Sequence, residues 1–484
     1  MQPTIIGAIV LLLGVAALVS RPDFTLRVAL LLSLLGSGAA INLPALGGAS
    51  ILAGPFFTGF VFLRNLLTKD GAWRLLAAFL PPAPGFWLLI AVLYGIFAAF
   101  FIAPFYYGEV MVFPISRSTT EGASFSREPL GFSSGNLTQS IYAIGQLLLY
   151  GSMTALIVTR RLHKAALDAM VLLGAAHVAI SALDILTYYS GTSFLIDWLR
   201  TANYTLWTSN AVGGVKRVSG LFPETSMYSI YAMTVLAVML QLMLSKYRVT
   251  MTRPLFYLSL FFLVISTSTT AYASLAIAGA LLLLVALKEV SLLARFRTAR
   301  VILLCALSAV FAGSLAVVVW PQLAGQFETI VDETLLNKMA SDSGMDRSQL
   351  NTEAFQTFQD TDLLGAGLGG VRTSSFALTL VSNLGLIGTL AFLAFVASLF
   401  GKDRSTVGCD PATLVLARAA RWGVIAGLLA AATSYHVFDL GPLFYILSAL
   451  ARPRLLLSSP ALPGASAVSR NGTGPAPIRP SQDG

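Results

Sequence analysis

The sequence predicts an all-α protein that crosses a membrane about twelve to thirteen times. Of its 484 residues, 56% are hydrophobic and only 11% are charged, and the mean hydropathy is +0.78. The interior of a soluble domain is too small to hold such an apolar fraction. The apolar runs approach the ~20 residues that a spanning helix needs. They are continuous rather than alternating, which excludes a transmembrane β-barrel.

Thirteen apolar segments are the candidate spanning helices. They cover residues 4–19, 25–41, 49–66, 85–104, 137–158, 165–187, 227–244, 254–268, 271–287, 301–320, 373–400, 412–434 and 440–451. No lysine or arginine precedes the first segment, which is unlike a signal peptide, so we expect it to be the first spanning helix. A polar run at 266–270 predicts either two short helices that meet at a turn or one long broken helix.

The lysines and arginines predict the orientation of these helices. When the loops are assigned alternately to two sides, 23 of the 31 basic residues fall on one side and 8 on the other. The basic side faces the cytoplasm by the positive-inside rule, which places the N-terminus outside and the C-terminus in the cytoplasm. The net charge of +9 therefore indicates membrane orientation, and no nucleic-acid partner is predicted.

Loop lengths and composition divide the chain into four regions. N-terminal helices at 1–200 precede a core at 201–400, whose large outer loop at 321–372 lies between the tenth and eleventh helices. C-terminal helices follow at 401–457, and a tail at 458–484, rich in Pro, Ser, Gly and Ala, is predicted to be disordered in the cytoplasm. The long loops lie on the outer side, so we expect the functional site there.

The outer segment 216–226 holds the most informative polar residues. It contains Lys216, Arg217, Glu224 and Ser226 immediately before a long apolar run. One interpretation is a helix cap with an interfacial salt bridge. The other is an anion site, in which the guanidinium and the helix N-terminal amides bind phosphate and Glu224 accepts a proton. Because charges beside lipid are costly, we expect function at this segment.

The large outer loop supplies further candidates. Apolar residues with helical spacing predict amphipathic helices at 326–339 and 347–358. A glycine-rich stretch at 365–370 follows, and close backbone packing is favoured over a phosphate loop because no strand precedes it. Arg347 and Arg372 are the candidate phosphate ligands of this loop.

Two groups of titratable residues lie outside these loops. His177, Ser181 and Asp184 share one helix face, which is typical of a transporter's proton relay or of a hydrogen-bonded stripe between helices; the stripe is favoured. His436 and Asp439 form an acid/base candidate in the last outer turn. With 2 cysteines and 3 histidines, the chain shows no zinc or disulfide framework, and no metal or cofactor is predicted.

Three segments together resemble the O-antigen polymerase and O-antigen ligase superfamily. Residues 217–226, Arg-Val-Ser-Gly-Leu-Phe-Pro-Glu-Thr-Ser, are similar to its basic outer segment, and 266–272 are similar to its serine-rich helix pair. Residues 362–369 with 383–388 look like the glycine signature that closes its outer loop. The match covers roughly 201–400, and the order and outer placement of the motifs make it more specific than any one motif.

The resemblance implies a membrane glycosyltransferase of the GT-C-like type in the bacterial inner membrane. Its expected reaction transfers a growing glycan from undecaprenyl diphosphate to a lipid-linked repeat unit on the periplasmic side, with a flippase and a chain-length regulator as partners. Glu224 is the first candidate for the proton acceptor, with Asp360 and His436 as alternatives. The residues expected to bind substrate are Lys216, Arg217, Ser226, Arg347 and Arg372.

The sequence favours a polymerase over two alternatives. Ligases of this family typically carry a His-Asn pair soon after the glycine motif, whereas residues 373–377 here read Thr-Ser-Ser-Phe-Ala. A lipid-linked oligosaccharide flippase or transporter using His177 and Asp184 would place basic residues deep in its spans. The arginines of this chain lie instead at the level of the loops.

Overall fold

The chain folds into a mostly helical bundle with small β-sheets at its loops. The computed structural model describes residues 1–44, 48–115, 127–160, 162–288, 300, 342–401 and 410–452. The helices in these ranges are α1 Ile5–Val19, α2 Pro22–Leu32, α3 Ala53–Leu66, α4 Gly71–Ala77, α5 Gly85–Phe105, α6 Ser134–Arg160, α7 His163–Tyr189, α8 Phe194–Asp197, α9 Thr225–Leu244, α10 Val249–Ile265, α11 Thr269–Lys288, α12 Asp342–Asp360, α13 Phe376–Leu399, α14 Pro411–Ser434 and α15 Pro442–Ala451. The strands are β1 Gln2–Pro3, β2 Ala39–Leu43, β3 Ala49–Leu52, β4 Met111–Val112, β5 Glu128–Pro129, β6 Ala211–Val212 and β7 Val215–Lys216.

Several helices are suited to a membrane. Within the described ranges, α5, α6, α7, α9, α13 and α14 are long and apolar enough to cross one, and α1, α10, α11 and α15 are shorter apolar helices. The prediction of a mostly helical chain with several candidate membrane-spanning helices is therefore confirmed, whereas the number of twelve to thirteen spans and their orientation stay predictions. The predicted helix at 347–358 lies within α12, and the polar run at 266–270 separates α10 from α11. The predicted segments 301–320, 326–339 and 458–484 lie outside the described residues.

Two of the predicted spans are wrong in part. The helix predicted at 25–41 ends at Leu32. The helix predicted at 49–66 begins only at Ala53, the first residue of α3. The intervening chain forms β2 and β3, which pair antiparallel with β1 in the order β1-β2-β3. Gly36 and Gly38 disfavour a continuation of α2 beyond Leu32. The backbone groups of the extended chain that follows are then satisfied by hydrogen bonds within the sheet.

The two glycine motifs near the outer loop pack against each other. α13 is broken at Gly385, whose φ of 57° is not helical. The break lets the backbone of the preceding loop approach, so that Leu386 N–H donates to the Leu363 carbonyl at 2.8 Å. On the other side, Ala366 N–H donates to the Ser382 carbonyl at 2.7 Å. The glycine-rich stretch is therefore a packing element that closes onto a helix break.

Two further contacts fix the end of this stretch. The Asn383 side chain accepts from Val371 N–H and donates to the Val371 carbonyl, both at 3.1 Å. Gly367 lies against α5 where that helix widens into a π-helix at Ala98–Ile102. A Cβ atom on Gly367 would lie 2.1 Å from the Cα of Ala99. These contacts hold Arg372, the next residue, in a defined position.

We expect Gly367→Ala to destabilise the protein by roughly 2–4 kcal/mol, the sum of overpacking and of an unfavourable positive φ. The φ of Gly367 is 78°, which side-chain-bearing residues rarely adopt, and the new methyl meets backbone that has no room to move. Thermal unfolding in detergent measures the effect. The control is Gly145→Ala in α6, where a Cβ meets nothing within 4 Å. Equal melting temperatures for the two variants would contradict this account.

Candidate functional site

A buried carboxylate anchors the segment that precedes α9. Asp184 of α7 accepts hydrogen bonds from Arg200 Nη2 at 2.6 Å and from Lys216 Nζ at 3.1 Å. The backbone N–H groups of Ser219 and Gly220 also donate to it, each at 2.9 Å. The three charged side chains are at most 5% exposed. Lys216 is thus engaged with Asp184, and its position does not support the predicted contact with substrate.

The neighbouring polar residues of α7 contact α9. The Ser181 hydroxyl and the Tyr228 hydroxyl lie 2.9 Å apart, and the His177 ring stacks on Tyr228 at 5.4 Å between centroids. These contacts join two helices. They favour the interhelical stripe over a proton relay through His177 and Asp184.

Glu224 lies at the start of α9. It occupies the N-cap position with extended backbone, and its carboxylate accepts a hydrogen bond from the Ser226 hydroxyl. Ser226 therefore orients Glu224, and its contact with substrate stays a prediction. Glu224 also interacts electrostatically with Arg217 and Arg372.

Two arginines interact electrostatically with Glu224, and a third interacts with one of these two. Burial lowers the pKa of Arg217, the Glu224 carboxylate raises it, and the Arg347 guanidinium lowers it further. Burial also lowers the pKa of Arg372, while Glu224 and Asp346 raise it. Within the described part of the chain, Arg217 Nε is buried without a hydrogen-bond partner. This basic cluster, defined as Glu224 with Arg217 and Arg372 beside it and Arg347 beside Arg217, has capacity left for an anion.

A cavity adjoins the basic cluster. We call it the chamber; its volume is about 570 Å³, within the ~300–1,000 Å³ typical of small-molecule sites. Glu224, Arg372 and His436 are part of its wall. Its aromatic lining residues are Phe113, Tyr142, Tyr204, Trp207, Phe222, Tyr231, Tyr435 and Phe444. The chamber therefore combines flat apolar surfaces with charged groups at defined points.

Asp439 is a second carboxylate of the chamber wall, in the turn between α14 and α15. Gly441 N–H donates to it at 2.8 Å and Gln146 Nε2 at 3.1 Å. Burial raises its pKa to about 6, against the opposing effect of these two donors. The Tyr435 hydroxyl donates to the Asp439 backbone carbonyl at 2.6 Å and so fixes the turn.

The structure brings most of the predicted site residues together. Arg217, Arg347, Arg372 and Glu224 form the basic cluster, and His436 lines the adjoining chamber. Asp360 lies exposed at the end of α12 and is not among the residues that line the chamber.

Sequence reasoning missed one polar face. Gln139, Tyr142 and Gln146 are spaced i, i+3 and i+7 along α6, so they share one side of this helix. Gln139 and Tyr142 line the chamber, and Gln146 donates to Asp439. Polar side chains within a membrane-spanning helix usually face a cavity or a partner. The spacing of these three residues could therefore have predicted a cavity beside this helix.

No protein-family model, no curated protein and no solved structure matches this chain. Among the described residues, no group of three or more His, Cys, Asp or Glu is arranged to hold a metal ion. The function is therefore inferred from the residues of the site.

We expect Asp184→Asn to lower the free energy of unfolding by roughly 3–5 kcal/mol, because Arg200 and Lys216 both lose the buried carboxylate with which they pair. Asp197→Asn is the matched control. Asp197 pairs with the same Arg200 at 2.9 Å but is 49% exposed, so its loss should cost at most ~1 kcal/mol. Thermal unfolding in detergent distinguishes the two variants. Equal shifts in melting temperature would show that Asp184 does not anchor the segment.

Proposed function

We propose that the chain is a polysaccharide polymerase of the bacterial inner membrane. In this proposal it transfers a growing glycan from undecaprenyl diphosphate to a lipid-linked repeat unit on the periplasmic side, and it works with a flippase and a chain-length regulator. The observation that carries the proposal is the basic cluster of Arg217, Arg347, Arg372 and Glu224, of which Glu224 and Arg372 also line the chamber. These residues are far apart in sequence, and each was a candidate on chemical grounds.

The basic cluster suits a diphosphate leaving group. When the glycosidic bond to the carrier breaks, negative charge develops on the diphosphate, and guanidinium groups stabilise it by charge-assisted hydrogen bonds. Arg217 is well suited because it is partly desolvated and one of its donors has no partner among the described residues. Glu224 serves as counter-ion to the cluster and keeps its guanidiniums in place while the site is empty.

The chamber suits a glycan. Aromatic rings offer flat apolar faces to the C–H surfaces of sugars, while tyrosine hydroxyls and carboxylates bind sugar hydroxyls. Tyr142, Tyr204 and Trp207 supply such rings beside Glu224 and Asp439. The lipid diphosphate would bind at the basic cluster and its sugars would extend into the chamber.

The contacts of α7 bear on the transporter alternative. A proton-coupled transporter needs an intramembrane carboxylate that can exchange its proton, but Asp184 is fixed by Arg200, Lys216 and two backbone donors. A ligase of the same fold would use the same basic cluster and differ in its acceptor.

Deletion of the gene, followed by gel analysis of surface polysaccharide, separates the three functions. A product limited to a single repeat unit supports the polymerase. Repeat units that fail to reach their lipid attachment indicate a ligase, and lipid-linked repeats that accumulate inside the cell indicate a flippase. Either of the last two outcomes contradicts the proposal.

We expect Arg217→Ala to lower the rate of polymer formation by ~10²–10³-fold, since one stabilising donor for the leaving diphosphate is lost. Arg217→Lys keeps the charge but loses the forked geometry, so its activity should be intermediate. Chain length on gels and the rate with purified protein measure the effect. Arg27→Ala is the control, because Arg27 is 46% exposed and pairs only loosely with Asp23 at 3.8 Å. Normal chain lengths with Arg217→Ala would remove Arg217 from the site.

A further inference from the structure

The two carboxylates of the chamber have different surroundings. Glu224 interacts with Arg217 and Arg372 and accepts from a hydroxyl. Asp439 is held by the neutral donors Gly441 N–H and Gln146 Nε2. A carboxylate that serves as counter-ion to arginines is occupied, whereas one held by neutral donors keeps an oxygen lone pair for a proton.

A second side chain points to a ligand near Asp439. Gln139 lines the chamber, is only 4% exposed, and its Oε1 atom has no hydrogen-bond partner among the described residues. Buried amide oxygens are normally paired, so an unpaired one in a cavity wall indicates a group that binds there. Sugar hydroxyls are such donors, and Gln139 lies about two turns along the same face of α6 from Gln146, which donates to Asp439.

We propose that Asp439 is the proton acceptor of the transfer reaction and that Gln139 binds the acceptor sugar beside it. This inference rests on the proposed function. The acceptor hydroxyl oxygen forms a bond to the anomeric carbon of the carrier-linked sugar, and the bond from that carbon to the diphosphate oxygen breaks. The bonding electron pair leaves with the diphosphate, which the basic cluster holds. The hydroxyl proton passes to the Asp439 carboxylate.

Several groups face Asp439 from the elements packed against it. Tyr435 and His436 lie in its own turn, and Tyr445 of α15 interacts electrostatically with its carboxylate. Gln146 contacts it from α6. The other charged groups of the chamber wall are Glu128, Glu224 and Arg372.

Burial raises the pKa of Asp439 to about 6, so below this pH the group is protonated and cannot accept a proton. Activity that depends on it therefore rises with pH through about 6 and levels off above. Tyr435 stays a neutral phenol in this pH range, because burial and nearby carboxylates raise its pKa well above the usual value. Its ionisation therefore does not contribute to the pH profile.

The test measures kcat, KM and the pH profile of the purified full-length protein with lipid-linked repeat units. Asp439→Asn should lower kcat by ~10²–10⁴-fold with little change in KM and should remove the rise near pH 6. Gln139→Ala should instead raise KM for the acceptor. Asp23→Asn is the control. Asp23 lies in the first turn of α2, whereas Ser33, which lines the chamber, follows the last residue of that helix.

Folding is checked by thermal unfolding at pH 7.5, where Asp439→Asn should be at least as stable as the natural chain because it removes a buried charge. If Asp439→Asn keeps the rate and the pH profile of the natural chain, Asp439 is not the proton acceptor. If Gln139→Ala leaves KM unchanged, Gln139 does not bind the acceptor. If the natural chain itself forms no polymer, the proposed function fails, and this outcome is distinct from the other two.

Discussion

The site depends on the buried charge cluster at Asp184. One carboxylate neutralises Arg200 and Lys216 and also accepts from the backbone of Ser219 and Gly220, so it joins α7 to the irregular segment before α9. Buried irregular backbone persists only where its polar groups are satisfied. The cluster meets this constraint for the segment that carries Arg217 and leads to Glu224, which lines the chamber.

A second constraint positions the opposite wall. The glycine-rich stretch inserts into the break of α13 at Gly385, while Gly367 packs on the widened turn of α5. Only glycine permits such close approach of backbone to backbone. Arg372, directly after this stretch, is thereby directed toward Glu224, and its N–H donates to the Phe113 carbonyl at 2.8 Å. The glycines act on the site through packing and do not themselves cradle phosphate.

The chamber is chemically asymmetric as a result. Guanidiniums interact with Glu224, whereas Asp439 is held by neutral donors from α6 and its own turn. A reaction that separates charge needs one group that stabilises an anionic leaving group and another that takes the released proton. In our proposal the diphosphate binds at the guanidiniums and the acceptor hydroxyl binds at Asp439.

The sequence by itself determined the helical membrane class, most helix positions and the types of residue in the basic cluster, because continuous apolar runs and isolated charges are local signals. It could not determine that 39–43 and 49–52 form strands. An apolar segment can form a helix or a strand, and here the pairing of the two segments with each other decides for strands. Nor could it show that Lys216 pairs with Asp184 whereas Arg217, the next residue, interacts with Glu224. Only the tertiary structure decided this, because which charge is neutralised depends on neighbours that are distant in sequence.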